Sequence, residues 1–193
     1  MRHDGTIRAF IAVDLGDAAR RAAAELSRAL AGAPGGDTVR WVRPEALHVT
    51  LRFLGDVERS RTAEIAAGVA ERLARVAPFR LELGGAGVFP SARQPRVVML
   101  ALAPEAPLAA LADAVERGVT ALGFEPEARA FRPHLTLGRV RGRRAPELSG
   151  AAPPPPSPFQ VRETLLYQSQ LGPGGSRYTP LERMPLGGRD HPN

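Results

Sequence analysis

Two histidines inside the sequence share one local context. His48 is followed by Val-Thr-Leu and His134 by Leu-Thr-Leu, so each has a threonine two positions later and a leucine three positions later. A single His-x-Thr motif would be a weak signal, but the same motif after both internal histidines rarely arises by chance. The other two histidines, His3 and His191, lie in terminal segments that we expect to be frayed.

Both motifs stand in alternating segments that are typical of strands. On a strand, residues i and i+2 point to the same face, about 6.5–7 Å apart along the chain. We therefore expect His48 and Thr50 on one face, while Val49, Leu51 and Phe53 point into the core. The second motif repeats this pattern, with a histidine and a threonine on one face and two leucines on the other. The two polar faces are expected to meet in a shared cleft.

Two imidazoles and two hydroxyls in one cleft suit an in-line displacement at phosphorus. Because imidazole titrates near neutral pH, one histidine can accept the proton of an attacking water while the other gives a proton to the departing oxygen. Each role is typically worth about 10²–10⁴-fold in rate. The hydroxyls of Thr50 and Thr136 can donate hydrogen bonds to the non-bridging oxygens, where negative charge builds up. This chemistry requires no metal and no cofactor.

Three other interpretations of the histidine pair stay open. Both histidines could be half-buried structural residues, although the matched motif argues against this. They could hold a metal, but neither strand carries an Asp or Glu close by on the histidine face. They could also belong to a module that binds phosphate without turnover, a task for which arginine is better suited than histidine.

Composition excludes several other mechanisms. The chain has 193 residues, enough for one domain with a sizeable core, and no cysteine, which excludes thiolate nucleophiles, zinc–thiolate sites and disulfides. All 26 basic residues are arginine, so Schiff-base lysines and the P-loop lysine are excluded too. The net charge of +6 favours an anionic partner, and the densest basic cluster is Arg139, Arg141, Arg143 and Arg144. With no signal peptide and no apolar run that could cross a bilayer, we expect a cytoplasmic protein.

The periodicity of apolar residues predicts an α+β chain whose halves each contain a strand, a helix and a motif strand. Strands are predicted at 10–15, 47–54, 79–83, 96–102, 134–140, 159–171 and 178–186, and helices at 17–30, 58–76 and 107–122. Asp17 is the expected N-cap of the first helix and Gly123 the C-terminal cap of the third, and 84–87 should form a bend or bulge. The five prolines of 151–158 predict an exposed connection. Residues 8–186 form the expected domain, and 1–7 and 187–193 the flexible tails.

Most of the chain resembles the 2H phosphoesterase superfamily, and in particular its RNA 2',3'-cyclic phosphodiesterases, also called the 2'-5' RNA ligase family. The resemblance rests on the two H-x-T-L strands and on the order and spacing of segments 8–15, 39–42, 47–55, 87–91, 131–139 and 169–178. It implies a bilobed α+β fold, with two pseudo-symmetric antiparallel-sheet lobes, helices outside and a central cleft that holds one motif from each lobe.

The resemblance also implies an activity, the metal-independent hydrolysis of an RNA terminal 2',3'-cyclic phosphate to a 2'-phosphomonoester. In that reaction His48 would donate a proton to the departing 3' oxygen and His134 would activate water. The implied partners are RNA 3' ends, tRNA fragments among them, and we expect a monomer. Ligation of RNA ends through a 2'-5' linkage, hydrolysis of a small cyclic nucleotide or of a 2'-5' oligonucleotide, and non-catalytic binding of phosphorylated RNA ends stay open as alternatives.

Further residues are candidates for substrate binding. Arg139 matches a family position that contacts the phosphate; strict alternation would turn it away from the cleft, but a bulge at Gly138 could re-aim it. Alternation places Arg52 on the His48 face. An aromatic ring could stack on a terminal base, the candidates being Phe53, Phe89 and Tyr167, although core packing is the stronger expectation for the two phenylalanines. The short basic and proline-rich segment 141–158 replaces a helix that is usual in the family.

Overall fold

The structure is a computed structural model that describes residues 5–142, 145–148, 152–172 and 175–187. This part of the chain contains three α-helices and nine strands: β1 (Thr6–Asp14), α1 (Asp17–Gly32), β2 (Val39–Trp41), β3 (His48–Glu58), α2 (Thr62–Leu73), β4 (Phe79–Ser91), β5 (Gln94–Ala103), α3 (Glu105–Thr120), β6 (His134–Val140), β7 (Phe159–Val161), β8 (Glu163–Gly172) and β9 (Gly175–Pro185). Short 3-10 turns lie at Gly36–Thr38, Pro44–Ala46 and Arg59–Arg61.

The strands form two sheets, and each sheet holds one of the two motif strands. The first has the order β3-β1-β8-β9 and the second the order β2-β6-β5-β4-β7. All neighbouring strands are antiparallel. Helices α2 and α3 pack on each other and against strands of the first sheet, while α1 contacts β2 and β4. Strand β3 packs beside β6, so the two sheets meet at the motif strands. The predicted α+β class with two antiparallel sheets is confirmed.

Alternation in β1 separates the core from the other face of the first sheet. Ile7, Ala9, Ile11 and Val13 belong to the main hydrophobic core, whereas Phe10, also buried, lies on the opposite face. Helix α2 contributes its apolar stripe to the same core, and α3 does so through residues spaced by three or four positions. Each buried aliphatic side chain contributes about 1.5–3 kcal/mol relative to exposure, which holds the sheets rigidly enough to position side chains on their outer faces.

The first strand begins earlier than the sequence predicts. Thr6 and Ile7 pair with Glu58 and Val57 of β3, and Ile7 is buried. The prediction of a flexible tail through residue 7 is therefore wrong for these two positions, because strand pairing extends to them. Residues 1–4 and 188–193, with His3 and His191, lie outside the described residues.

The helix starts also differ from the prediction, and α3 begins at Glu105 rather than at 107. Strand β3 continues to Glu58 and a 3-10 turn follows, so the helix expected from 58 begins at Thr62. Asp17 is the first residue of α1 rather than its N-cap, which is Gly16. Helix α3 ends at Thr120, two residues before the predicted 122. The predicted role of Gly123 after this end is confirmed, because it has φ 87° and its N–H donates to Thr120 O at 3.0 Å.

The glycine-rich and proline-rich segments behave as predicted. Strands β4 and β5 lose register between Leu83 and Ala86, which is the expected bulge. Residues 152–158 are irregular and mostly exposed, and the described residues of 141–158 contain no helix. No helix in the described part of the chain is long and apolar enough to cross a membrane.

Candidate active site

His48 is the first residue of β3, and only Leu47 separates it from the turn Pro44–Ala46. Its Nδ1 lies 2.8 Å from the carbonyl oxygen of Ala46. Because a carbonyl can only accept, this contact requires the proton on Nδ1 and leaves Nε2 for another partner. The residue is half-buried, so the imidazole is fixed by this contact without being sealed in the core.

His134 is held in the same way at the start of β6. Its Nδ1 lies 2.7 Å from the carbonyl oxygen of Arg132, again two residues earlier, and the ring is half-buried. The duplicated sequence motif is therefore matched by a duplicated attachment. Both imidazoles have the geometry that presents Nε2 to a ligand.

The residues that follow each histidine alternate as the sequence predicts. Thr50 and Thr136 are half-buried, on the histidine faces of their strands. The apolar residues on both sides of each threonine are buried in the core: Val49, Leu51, Leu135 and Leu137. Each sheet thus presents one imidazole and one hydroxyl on the same side.

Aromatic rings surround His48 on the first sheet. The Phe10 ring centroid is 4.8 Å from that of His48, and Tyr178 meets His48 edge-on at 4.9 Å. Tyr167 stacks on Phe10 at 5.3 Å. Sequence reasoning did not select Phe10 and Tyr178 as site residues. Neighbouring residues of a strand point to opposite faces, so a buried Ile11 in the core would have predicted Phe10 on the histidine face of the sheet.

Burial is the largest influence on the pKa of His48 and lowers it below the usual 6.5. The hydrogen bond to Ala46 and the negative charge of Asp14 oppose this effect, whereas the positive charges of Arg20 and Arg139 lower the pKa further. The influence of Arg139 is informative, because this residue belongs to β6 in the other sheet. The two motif strands are close enough for charges on one to act on the histidine of the other.

Arg139 lies on the histidine face because β6 contains a bulge. Met99 of β5 pairs with Thr136, but the next residue, Val98, pairs with Gly138, so β6 has one extra residue between them. The extra residue shifts the alternation, and Arg139 is exposed while Val140 packs against the core. The irregularity at Gly138 that the sequence suggested is therefore present.

Arg52 does not lie on the histidine face, and this prediction is wrong. Ala12 of β1 pairs with Thr50 and the preceding residue, Ile11, pairs with Arg52, so β3 also has an extra residue at this point. Arg52 consequently points to the helix side, where its Nε lies 2.7 Å from Glu116 Oε2 and its Nη1 lies 3.3 Å from Glu127 Oε2. Its side chain is only 12% exposed, and its charge is already paired.

The same bulge reverses the expectation for Phe53. This ring was expected in the core, but it pairs with Phe10 on the histidine face, 5.9 Å from it, and is 54% exposed. In the second sheet Phe89 is 38% exposed and shares a row with Arg139 across Val97. The guanidinium carbon of Arg132 lies 5.3 Å from the Phe89 ring centroid.

The sequence model of the 2'-5' RNA ligase superfamily matches residues 11–173, which include both histidine motifs. The chain belongs to this superfamily. The observed pair of antiparallel sheets with one motif strand in each is the fold that membership of the 2H phosphoesterases implies.

Other members of the superfamily are similar over nearly the whole chain. An RNA 2',3'-cyclic phosphodiesterase from Methanothermobacter thermautotrophicus is 36% identical over 91% of this chain and 97% of its own length. One from Archaeoglobus fulgidus is 37% identical over 91% of this chain and 98% of its own. The crystal structure of E. coli LigT complexed with 3'-AMP superposes with a TM-score of 0.76 at 32% identity, covering 94% of this chain and 98% of LigT.

The described residues near the two histidines offer few side chains that could act as metal ligands. Within the described ranges, no three His, Asp or Glu side chains are grouped so that they could hold a metal ion. The carboxylate whose charge acts on His48 is Asp14, which pairs with it on β1 and also forms an ion pair with Arg20. Of the predicted basic cluster, Arg143 and Arg144 lie outside the described residues.

Proposed function

We propose that this chain hydrolyses the 2',3'-cyclic phosphate at RNA 3' ends and leaves a 2'-phosphomonoester. The observation that carries the proposal is the matched attachment of two imidazoles, each donating from Nδ1 to the carbonyl two residues before it. The two Nε2 atoms are then left for the reacting oxygens. Relatives at 36% and 37% identity bear the name of this activity, which supports the same reaction here.

In the proposed reaction the two histidines exchange protons with opposite sides of the phosphate. Nε2 of His134 accepts a proton from water as the water oxygen attacks phosphorus. The bond from phosphorus to the 3' oxygen breaks, and His48 gives its Nε2 proton to that oxygen. One proton is taken and one is given, so the net reaction is hydrolysis and the histidines return to their starting states by proton exchange with solvent.

The acid role requires His48 to be protonated, whereas burial favours its neutral form. The bound substrate supplies the opposing effect, because a negative phosphate beside the ring favours the charged imidazolium. A ring whose pKa is held down in this way is also a stronger acid when it is protonated. The order of the two motifs in the family assigns the proton donor to His48 and the base to His134, and our proposal keeps this assignment.

The remaining residues of the face bind the substrate. The hydroxyls of Thr50 and Thr136 donate to the non-bridging oxygens, and the Arg139 guanidinium neutralises their charge. The exposed rings of Phe53 and Phe89 offer surfaces on which RNA bases stack, a contact worth about 1–3 kcal/mol per base. RNA 3' ends, including those of tRNA fragments, are the proposed partners, and a cytoplasmic monomer remains our prediction from the sequence.

The superfamily's name favours one further activity at the same site. If a 5' hydroxyl of a second RNA takes the place of water, attack on the cyclic phosphate with loss of the 3' oxygen forms a 2'-5' linkage. The same histidines serve as base and acid in this reaction. Hydrolysis and ligation then differ only in the nucleophile that reaches phosphorus.

Product analysis on one defined RNA tests the proposal. An RNA that ends in a 2',3'-cyclic phosphate is incubated with the protein, with and without a second RNA bearing a 5' hydroxyl, and products are compared with 2'- and 3'-phosphate standards. We expect the 2'-phosphate alone from hydrolysis and a 2'-5' linkage from ligation. A 3'-phosphate contradicts the assigned leaving group. Tight binding without product supports the binding module instead, and a faster reaction with a free cyclic nucleotide contradicts RNA as the preferred substrate.

A further inference from the structure

Arg20 of α1 makes a set of contacts that converge on the turn before His48. Its Nη1 donates to the carbonyl oxygens of Pro44 at 2.8 Å and Leu47 at 3.0 Å. Its Nη2 pairs with the carboxylate of Asp14. The Arg20 side chain is 19% exposed and that of Asp14 is 50% exposed, so the guanidinium is mostly covered while its carboxylate partner stays in contact with solvent. A charged donor makes stronger hydrogen bonds than a neutral one, which favours these contacts.

The two carbonyls that Arg20 binds stand on either side of Ala46. The carbonyl of Ala46 is the group that accepts from His48 Nδ1. The position of that carbonyl determines both the direction of the imidazole and the nitrogen that keeps the proton. A guanidinium that holds the residues before and after Ala46 therefore acts on the ring through the backbone.

In the second motif the same hydrogen bond from histidine Nδ1 to a carbonyl two residues earlier is stabilised in a different way. There the accepting carbonyl belongs to Arg132, and Pro133 separates it from His134. A proline has a fixed φ and restricts the residue before it, so that this segment is stiff by itself. The corresponding position before His48 is Leu47, which has no such restriction. The backbone before His48 therefore needs a side chain from another element, Arg20, to hold it in place, whereas the backbone before His134 does not.

We propose that Arg20 is a positioning residue for the acid–base reaction: by clamping the turn Pro44–Ala46 it holds the Ala46 carbonyl that keeps the His48 proton on Nδ1 and aims Nε2 at the phosphate. The catalytic part of this inference rests on the proposed function. Its structural part, the state of the His48 ring, does not depend on any substrate.

Charge adds a second, separable effect of Arg20. The groups that face His48 are Asp14 on β1, Arg20 on α1, Arg139 on β6, Tyr167 on β8 and Tyr178 on β9. Among them the negative charge of Asp14 raises the pKa of His48, and the positive charge of Arg20 lowers it. Removal of Arg20 therefore takes away one of the two positive charges that oppose Asp14 and should raise the pKa of His48, while removal of the Asp14 charge should lower it.

The experiment reads the His48 ring directly by ¹⁵N NMR of the free protein, with its signals assigned by comparison with His48→Ala. The wild type is expected to show the tautomer protonated on Nδ1. Arg20→Met should mix the two tautomers and move the titration midpoint of His48 to higher pH, whereas Asp14→Asn should move it to lower pH. Arg28→Met, at an exposed position of the same helix, is the matched control and should change neither.

The kinetic counterpart is measured on an RNA 2',3'-cyclic phosphate. Because a misplaced group affects the chemical step, Arg20→Met should lower kcat by about 10- to 100-fold with KM changed by no more than about twofold. Should Arg20→Met fail to fold, Arg20→Gln is measured in the same way, because its shorter amide cannot hold both carbonyls and the carboxylate. A wild-type ring spectrum in the neutral Arg20 variant, or an equal change in Arg28→Met, overturns the inference. An inactive wild type would overturn the proposed function while the tautomer measurement still decides this one.

Discussion

Gly138 lies so close to Val39 that a Cβ added at position 138 would stand 2.5 Å from Val39 Cγ1. This close approach coincides with the bulge of β6, and the bulge places the next residue, Arg139, on the histidine face. Gly138→Ala should therefore lower the free energy of unfolding by about 1–3 kcal/mol and also lower kcat/KM by displacing Arg139. Urea denaturation and kinetics check this. Gly142→Ala, with nothing within 4 Å of the added methyl, is the control and should be nearly neutral.

Removal of either imidazole should abolish turnover without unfolding the protein. His48→Ala and His134→Ala each remove one proton-transfer group, and each should lower kcat/KM for a nucleoside 2',3'-cyclic phosphate by at least about 10²-fold. Circular dichroism should show the native fold, since both rings are only half-buried. His191→Ala, outside the described residues, serves as the control. Activity close to that of the wild type in either internal variant would remove the basis of the mechanism.

Substitution of Arg139 should affect activity, whereas substitution of Arg52 should affect stability. Arg139→Met should lower kcat/KM by about tenfold or more with little change in stability, because Arg139 is exposed and, in the proposed reaction, its guanidinium binds the phosphate. Arg52→Met should lower the free energy of unfolding by about 1–2 kcal/mol, since Glu116 and Glu127 lose their partner. Its kcat should change little. The reverse pattern in the two variants would mean that the faces are assigned incorrectly.

The lowered pKa of His48 predicts how stability depends on pH. The pKa of the folded ring lies below the unfolded value of 6.5, so the unfolded chain binds more protons in this range. The contribution of His48 to stability is present above pH 6.5 and is lost as the pH falls through the folded pKa. The free energy of unfolding should therefore fall more steeply between about pH 7.5 and 5 in the wild type than in His48→Gln. Parallel slopes from urea titrations would contradict this.

The proposed mechanism uses no metal, and this can be checked with a chelator. We expect hydrolysis at an unchanged rate after dialysis against EDTA, because both proton transfers are assigned to imidazole. The control is the same protein with added Zn²⁺, which should not raise the rate. If EDTA removes the activity and zinc restores it, the histidines are ligands rather than acid and base.

The local parts of this molecule could be predicted from the sequence. The period of two in the segments around His48 and His134 places an imidazole and a hydroxyl together, because alternation is a property of a single strand. Other features also depend only on residues that are close in sequence: the helical repeats, the bend near Gly84, the cap at Gly123 and the exposed proline segment. The motifs and their order were enough to indicate the family.

Only the tertiary structure decided which of the later residues in each motif strand reach the site. A bulge is a mismatch in register between two paired strands. Pairing with β1 therefore shows that Arg52 lies off the histidine face and Phe53 lies on it. Pairing with β5 shows that Arg139 lies on the histidine face. The clamp of Arg20 on the turn before His48 joins residues more than twenty positions apart. These relationships depend on pairing and packing between distant segments, and alternation within one segment carries no information about them.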